Sequence, residues 1–268
     1  MRCFAAVGVA LAISVSGNNE VRAADEGQET AAARQFQSRA SQVTSQYVAK
    51  NHDGDALDRR QQPLLRWSNP LGGEQAHGEV YLWTDHGRPA AALSLYEIRR
   101  DGGEVVEHHE WALLGSRGVS FSGPVRWEPK AGSIEWKPIP TAAAPAESPR
   151  ARLSQMRSTA AEFAGEKTTR SGESRALRLL SQPLYHYDQD GKTGGLFALV
   201  EATDPEMLLL LETGESNGRL GWNYSVMRMS NVRLALTHKG KAVWEAAQLP
   251  WSEAVDRPDL PYSAFRVR

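Results

Sequence analysis

The chain has 268 residues and one cysteine, and its 31 Lys and Arg against 32 Asp and Glu give a formal net charge of −1 at pH 7. This balance provides no net field that would attract a polyanion, and the densest basic stretches are the pairs Arg59-Arg60 and Arg99-Arg100. Nucleic acid and anionic membrane are therefore excluded as expected partners.

The first residues have the pattern of a secretory signal peptide. Arg2 precedes an apolar run from Cys3 to Val15, and Val21 and Ala23 fit a signal-peptidase site after Ala23. The alternative is a short membrane anchor, but a bilayer-spanning helix needs roughly 20 apolar residues and this run is shorter. The sequence thus predicts an exported protein, periplasmic, envelope-associated or secreted, without membrane insertion after cleavage.

The single cysteine, Cys3, lies inside this predicted signal. We therefore expect no disulfide, no thiolate nucleophile and no sulfur metal ligand in the mature chain. No cofactor is predicted, because the glycine motifs of phosphate-binding loops and of dinucleotide-binding folds are both missing from the sequence.

Apolar residues at helical spacing predict two α-helices. The first runs between about Glu29 and Lys50 and is followed by the turn sequence 51–54, and the second begins at Ser148-Pro149, which is typical of an N-cap and a first-turn proline. The stripes are Phe36, Ala40, Val43 and Tyr47 in the first helix, and Leu153, Met156, Ala160 and Phe163 in the second. Each stripe is expected to pack on the β-strands that follow it.

Short β-rich runs alternate with turn residues after each helix. The runs are 64–68, 79–84, 90–99, 105–114, 119–127 and 133–139, then 175–187, 196–203, 207–212, 220–229, 233–237 and 242–247. Asp85-His86-Gly87-Arg88-Pro89 and Asp101-Gly102-Gly103 have hairpin-turn chemistry. Runs such as 80–83 and 208–211 are apolar on both faces, so they need cover from both sides. Packing of the two halves on each other would supply it, and so would one sheet rolled around the helices.

The two halves share one order of elements. Gln-Pro-Leu at 62–64 and 182–184, Thr-Asp at 84–85 and 203–204, and Trp at 127 and 244 recur at offsets of 117 to 120. The sequence therefore predicts an α+β, mostly β fold with two helix-plus-antiparallel-meander units, arising by tandem duplication or by shared turn chemistry alone. The expected boundaries are a signal peptide at 1–23, unit one at 24–137, a Pro/Ala linker at 138–149, unit two at 150–250 and a C-terminal tail at 251–268.

Glu107-His108-His109-Glu110 is the densest polar cluster, and it falls on a predicted strand. Side chains alternate across a strand, so Glu107 and His109 face one way while His108 and Glu110 face the other. A two-residue turn centred on Asp101-Gly102 or Gly102-Gly103 would place Tyr96 on the face of Glu107 and His109.

Two interpretations of this cluster are open. In the first, His109 is a base oriented by Glu107 or Glu110, with Tyr96 nearby, in an apolar setting that shifts titration. In the second, which we favour, the cluster is a charged stretch on a half-exposed strand near a sheet edge. The cluster lacks the His-x-x-x-His helical spacing of a zinc site, so no metal is predicted.

Two further features are interpreted as structural. Asp53-Gly54-Asp55 and Asp188-Gln189-Asp190-Gly191 resemble fragments of calcium loops but lack a third oxygen ligand and a closing glutamate, so we expect turns. The eight tryptophans are expected mainly in the core rather than as an exposed row that stacks on sugars or peptides.

Residues 82–89, 150–156, 179–185 and 203–212 together resemble a family of exported planctomycete proteins of unknown function. The resemblance spans about residues 64–244 and implies export without implying an activity. In element order the chain is also similar to tandem cystatin-like rolls, a fold that hosts both enzymes and inhibitors.

The sequence favours a non-enzymatic module that binds a protein or a small molecule across its sheet faces. The alternative is a roll-fold hydrolase or lyase that acts on a small molecule through His109 with Glu107 or Glu110. A cavity over those residues with shifted titration would favour the enzyme, and a flat, filled sheet would favour the binder.

Overall fold

The computed structural model describes residues 33–69, 75–99, 103–139, 142–189, 191–216 and 218–267. The predicted signal peptide with Cys3 lies outside these residues, as do Asp101 and Gly102 of the second predicted turn. Residues 40–268 form one compact unit, and every contact described below lies within it. Phe36 of the first predicted stripe belongs to the separate unit of residues 1–39.

The described residues form three helices and a series of strands. Helix α1 spans 33–45, α2 spans Pro149–Ala160 and α3 spans Trp251–Ala254. The strands of the first half are β1 (Val48–Asn51), β2 (Asp58–Arg59), β3 (Leu65–Asn69), β4 (Gln75–Asp85), β5 (Arg88–Arg99), β6 (Val105–Leu113) and β7 (Val119–Ser122). Strand β8 (Lys137–Pro138) precedes α2. The second half has β9 (Phe163–Thr168), β10 (Ser174–Leu179), β11 (Tyr185–Gln189), β12 (Lys192–Glu201), β13 (Asp204–Ser216), β14 (Arg219–Arg228), β15 (Arg233–His238) and β16 (Lys241–Ala246), and β17 (Tyr262–Val267) ends the fold.

These strands pair only in antiparallel fashion within their sheets. The first sheet has the order β17-β6-β5-β4-β2, with β3 also on β4. The second has the order β16-β15-β9-β10-β12-β13-β14-β8, with β11 also on β12, and β1 and β7 form a separate pair. The predicted mostly β, antiparallel fold is therefore confirmed.

The two halves have the same strand order. Isolated bridges join Lys50 to Ala56 and Phe121 to Trp127, which links β1 to the chain before β2 and adds a short strand beside β7. With these bridges the first half runs from Trp127 through β7, β1, β2, β4 and β5 to β6. The second half runs in the same way from β16 through β15, β9, β10, β12 and β13 to β14.

Each sheet is completed by a strand from outside its own half. Strand β8, which follows the first half along the chain, pairs with β14 of the second sheet. Strand β17, which follows the second half, pairs with β6 of the first sheet. The residues assigned from sequence to a C-terminal tail therefore include an integral strand of the first sheet.

The central strands are buried on both faces. All four side chains of 80–83 and all four of 208–211 are at most 1% exposed. Helix α2 covers the outer face of the second sheet, where Met156 joins a core with Phe197 and Leu209. The inner faces of the two sheets meet, because Arg88 of β5 binds Glu212 of β13. The two halves thus pack on each other, which is one of the two arrangements that the sequence left open.

Both helices end earlier than predicted. Helix α1 stops at residue 45, where the Thr44 hydroxyl donates to the carbonyl of Ala40, so Tyr47 lies beyond the helix and precedes β1. Phe163 begins β9 rather than ending α2. In both places a buried residue just past the helix falls at a spacing that also fits a helical stripe. The turn predicted to end α1 instead follows β1, where Asn51 Oδ1 accepts hydrogen bonds from the N–H groups of residues 53 and 55.

We expect the close approach of the sheets to make Ala92 of β5 intolerant of a larger side chain. Ala92 is fully buried and pairs with Leu82 and Ala112 on the inner face of the first sheet. Ala92→Leu should lower the free energy of unfolding by about 1–3 kcal/mol, the usual cost of overpacking, as measured by urea denaturation. The exposed Ala131→Leu is the control, and equal stability of the two variants would contradict this packing.

Candidate functional site

The two sheets separate at one end and leave a cleft of 860 Å³ between them. The inner face of the first sheet changes character at this end, from Ala92 and Ala112 to Ser94, Tyr96 and Glu110. Polar groups keep water or each other as partners, so apolar sheet contact ends where they begin. The cleft is lined from the first sheet by Trp67, Tyr96, His108 and Glu110, from the second half by Lys167, Arg175, Glu201, Asp204 and Glu206, and from α3 by Trp251.

Four rings form a continuous row along the first-sheet side of the cleft. Ring centroids are 5.4 Å apart between Trp67 and Tyr96, 5.0 Å between Tyr96 and His108, and 5.7 Å between His108 and Trp251. Tyr96 and His108 are stacked at 15°, whereas Trp251 meets His108 edge-on at 76°. Trp251 is 38% exposed, so this aromatic row ends in an accessible indole.

Gly78 allows the aromatic row to lie directly on the sheet. A Cβ at this position would come within 2.6 Å of the Trp67 ring and of the Tyr96 Cβ. The glycine therefore lets the Trp67 indole rest on the backbone of β4. The Trp67 Nε1 donates a hydrogen bond to Ser94 Oγ at 3.1 Å. This fixes the first ring of the row.

Glu110 supplies a buried carboxyl group to the cleft. Burial raises the pKa of Glu110 well above its ordinary value of 4.5, and the nearby carboxylates of Asp204 and Glu206 add to this effect. The Tyr262 hydroxyl donates to Glu110 Oε1, and the Arg228 guanidinium lies 5.3 Å from the Tyr262 ring. The hydrogen bond from Tyr262 and the charge of Arg228 lower this pKa but do not offset the desolvation, so burial favours the protonated, neutral form of Glu110.

The opposite wall carries charges that bind one another. Lys167 Nζ donates to both Glu201 and Glu206, and Arg175 Nη1 donates to Glu201 at 3.0 Å. Asn69 donates to Asp204 Oδ2 at 3.1 Å, so this carboxylate joins the two halves at the edge of the cleft. Burial raises the pKa of Asp204 to about 7, with a further contribution from Glu206.

His109 faces away from the cleft, on the outer face of the first sheet. Its Nε2 lies 2.9 Å from Glu107 Oε1 and its Nδ1 lies 2.5 Å from the Tyr47 hydroxyl. His109 is 0% exposed, and the Tyr47 ring packs edge-on against Trp83 and Trp111. Burial raises the pKa of Tyr47 far above its ordinary value, so the phenol stays neutral. This group of three is a hydrogen-bonded part of the core.

The structure therefore divides the candidate set predicted from sequence. Tyr96 pairs with His108 and shares the inner face with Glu110, so the expectation that Tyr96 lies beside Glu107 and His109 is wrong. The last pair of the hairpin is Arg99 with Val105. An odd number of residues connects them, and this shifts the parity by one relative to a two-residue turn.

The expectation of an edge or surface strand is also wrong. Strand β6 lies between β5 and β17, and His108 and Glu110 are only 4% and 8% exposed. The strand that pairs with the outer edge of β6 is β17, which lies far away in sequence. No local sequence pattern around β6 predicts this pairing.

Residues 214–218 have the pattern Gly-x-Ser-x-Gly, which we did not predict as a site from the sequence. In hydrolases of that motif the serine sits on a tight turn from a strand into a helix. Here the stretch joins the antiparallel strands β13 and β14, with Ser216 paired to Arg219. The described backbone is therefore a hairpin and not a nucleophile turn.

The opposite end of the sheet interface is filled. The Arg88 guanidinium makes three hydrogen bonds to the two oxygens of Glu212, at 2.6, 2.9 and 3.0 Å. The same carboxylate accepts from Tyr187 at 2.8 Å and from Lys192 at 2.9 Å. The cavity beside this cluster measures only 90 Å³. This end is closed by a paired charge, whereas the other end stays open.

In the described part of the chain, no group of three or more His, Cys, Asp or Glu side chains is arranged to hold a metal ion. No helix among those same residues has the length and apolar character to cross a membrane. The chain matches no protein-family model, no curated protein and no solved structure. The geometry of the cleft is therefore the basis for the functional argument.

We expect Glu110 to make stability depend on pH. A carboxyl whose folded-state pKa is raised stabilises the fold fully below about pH 4.5 and progressively less as pH rises. Between about pH 5 and 8 the stability of the wild-type protein should therefore fall relative to Glu110→Gln, by up to about 1.4 kcal/mol per pH unit. Urea denaturation at several pH values measures this difference.

The exposed Glu135→Gln is the matched control and should follow the wild-type protein across this range. A wild-type protein that gains stability with pH relative to Glu110→Gln would show that Glu110 is ionised in the fold.

We expect His109→Ala to lower the free energy of unfolding by about 2–4 kcal/mol, because it leaves a cavity and a buried tyrosine hydroxyl without its partner. Tyr47→Phe should cost less, about 1–2 kcal/mol, since it keeps the ring. The exposed His186→Ala is the control in the same urea experiment. An unchanged free energy of unfolding in His109→Ala would instead support the interpretation of this stretch as a surface strand.

Proposed function

We propose that the protein is an exported module that binds a small molecule in the cleft between its two sheets and does not transform it. The observation that carries this proposal is the cleft itself, 860 Å³ in volume and lined by both sheets. Small-ligand sites measure roughly 300–1,000 Å³ and combine apolar walls with a few fixed polar groups. The aromatic row supplies the first and the Glu110 side supplies the second.

The polar groups of the cleft are held in place before any ligand arrives. Lys167 is fixed by Glu201 and Glu206, and Glu110 is fixed by Tyr262. Groups that are already oriented lose little conformational entropy when a ligand binds, which favours recognition. The location in the cell envelope or outside the cell rests on the signal pattern of residues 1–23 alone.

We also propose that the two halves derive from one duplicated helix-plus-meander unit. The shared strand order and the recurring Gln-Pro-Leu, Thr-Asp and Trp positions support this idea. The Arg88–Glu212 cluster would then correspond to the cleft. The hairpin turn between β4 and β5 meets the second half at this cluster, and the hairpin turn between β12 and β13 meets the first half at the cleft. The Arg88–Glu212 cluster is filled by its ion pair, so ligand binding is assigned to the cleft, which is open.

One observation favours a second candidate function, a hydrolase or lyase that acts on a small molecule. Glu110 and Asp204 both line the cleft and both have a raised pKa, as a general acid and a general base need near neutral pH. This candidate would move the chemistry from His109 and Glu107, which lie on the far face, to the cleft.

The proposal is tested with saturation-transfer NMR on a library of neutral, cationic and anionic fragments. Wild-type protein and the exposed control Ala131→Trp should both transfer magnetisation to a common set of fragments. Ala76→Trp, which places a large ring in the cleft, should abolish that transfer while the protein stays folded by its urea midpoint. Equal binding by Ala76→Trp, or no fragment bound by the wild-type protein, would overturn the proposal.

The same samples distinguish the second candidate. A binding protein leaves each bound fragment chemically unchanged over a day of spectra. Conversion of a bound fragment by the wild-type protein, lost in Glu110→Gln, would establish the enzyme instead.

A further inference from the structure

We propose that the ligand of the cleft is a neutral saccharide that stacks one sugar ring on Trp251 and hydrogen-bonds its hydroxyls to the Glu110 side of the cleft. This inference rests on the proposed binding function and names the class of ligand.

The exposed indole of Trp251 defines the first contact. Five of the eight tryptophans are at most 6% exposed, whereas Trp251 is 38% exposed and lines the cleft. An exposed ring offers an apolar face, and a sugar presents a matching apolar face of C–H groups with hydroxyls around its edge.

The geometry of the aromatic row argues against a flat aromatic ligand. Such a ligand gains most between two parallel rings. The parallel rings of the row, Tyr96 and His108, are already stacked on each other at 5.0 Å. Trp251 stands nearly perpendicular to His108, so these two rings do not form a parallel slot. One-sided stacking fits a sugar ring better.

The charges of the cleft argue against an ionic ligand. Lys167 binds two carboxylates, and Arg175 binds Glu173 and Glu201. A charged ligand that contacted Lys167 or Arg175 would have to compete with these pairs and leave one of their members without its partner, at a high desolvation cost. Arg170 also lines the cleft, but it is exposed, so an ion pair with it would contribute little in water. A neutral ligand requires no such exchange.

The remaining polar groups match hydroxyls. A neutral carboxyl at Glu110 both donates and accepts a hydrogen bond, as each sugar hydroxyl does. Asn231 adds an amide at the same cleft, held by a hydrogen bond from its Nδ2 to the carbonyl of Leu249. Hydroxyls can therefore be satisfied without disturbing the ion pairs.

The test follows the Trp251 indole N–H resonance of the full-length protein during titration with a probe panel. The neutral probes are cellobiose, maltose, lactose and diacetylchitobiose, the charged probes are glucuronic acid and glucosamine, and the aromatic probes are adenosine and tryptophan amide. We expect a neutral disaccharide to shift this resonance at millimolar concentration, and to bind more tightly than every charged or aromatic probe.

Variants connect the signal to the proposed contacts. Trp251→Ala should weaken that disaccharide by about tenfold, while Trp251→Phe should recover most of the affinity because it keeps a ring face. Glu110→Leu should also weaken that disaccharide, by about tenfold, because it removes the group that hydrogen-bonds the sugar hydroxyls. Leu220→Ala, at an exposed apolar residue that does not line the cleft, is the matched control.

Different results would contradict the saccharide ligand and the binding function. Three results would each overturn the assignment of a saccharide ligand. They are binding confined to charged or aromatic probes, no response to any disaccharide, and a disaccharide affinity that is unchanged in Trp251→Ala. In all three cases a fragment blocked by Ala76→Trp would leave the binding function standing. The absence of any fragment blocked by Ala76→Trp would overturn the binding function as well.

Discussion

The fold depends on the burial of both faces of its central strands. Apolar side chains on alternate positions of a strand point to opposite faces, so runs such as 80–83 and 208–211 cannot be satisfied by one layer of cover. Helix α2 covers one face of its sheet, and the inner faces of the two sheets cover each other. Burying a side chain of this size stabilises the fold by about 1.5–3 kcal/mol, so each residue of the two-sided strands adds substantially to the stability.

The same constraint explains where a site can form. The inner faces are apolar in the middle and polar at both ends, and a polar group at a dry interface must find a partner. At one end Arg88 and Glu212 pair directly and close the gap. At the other end Glu110 lies near the carboxylates of Asp204 and Glu206, burial favours its neutral form, and the cleft stays open.

The sequence was informative wherever the signal was local. Most strands, the turn at His86-Gly87 and the two-sided burial follow from alternation and turn chemistry, and both turn residues have the positive φ that such a turn requires. The helix ends were misplaced because Tyr47, which precedes β1, and Phe163, which begins β9, continue the helical spacing. Short strands such as β1 and β2 carry too few residues for a pattern.

The candidate site was harder to predict because it depends on parity and on distant pairing. One residue more or less between β5 and β6 moves Tyr96 from the face of His109 to the face of Glu110, and turn chemistry alone does not fix that count. The burial of β6 depends on β17, and the two strands are separated by the entire second half.

The exchange of end strands makes the cleft a property of the whole chain. Glu110 belongs to the first half, its hydrogen-bond donor Tyr262 belongs to β17, and Arg228 beside that tyrosine belongs to the second sheet. Asn69 and Asp204 likewise join opposite halves at the edge of the cleft. Contacts between residues so far apart in sequence cost loop-closure entropy, which the burial between the two sheets has to offset. Neither half alone supplies the lining of the cleft, so its shape depends on how the two halves fit together.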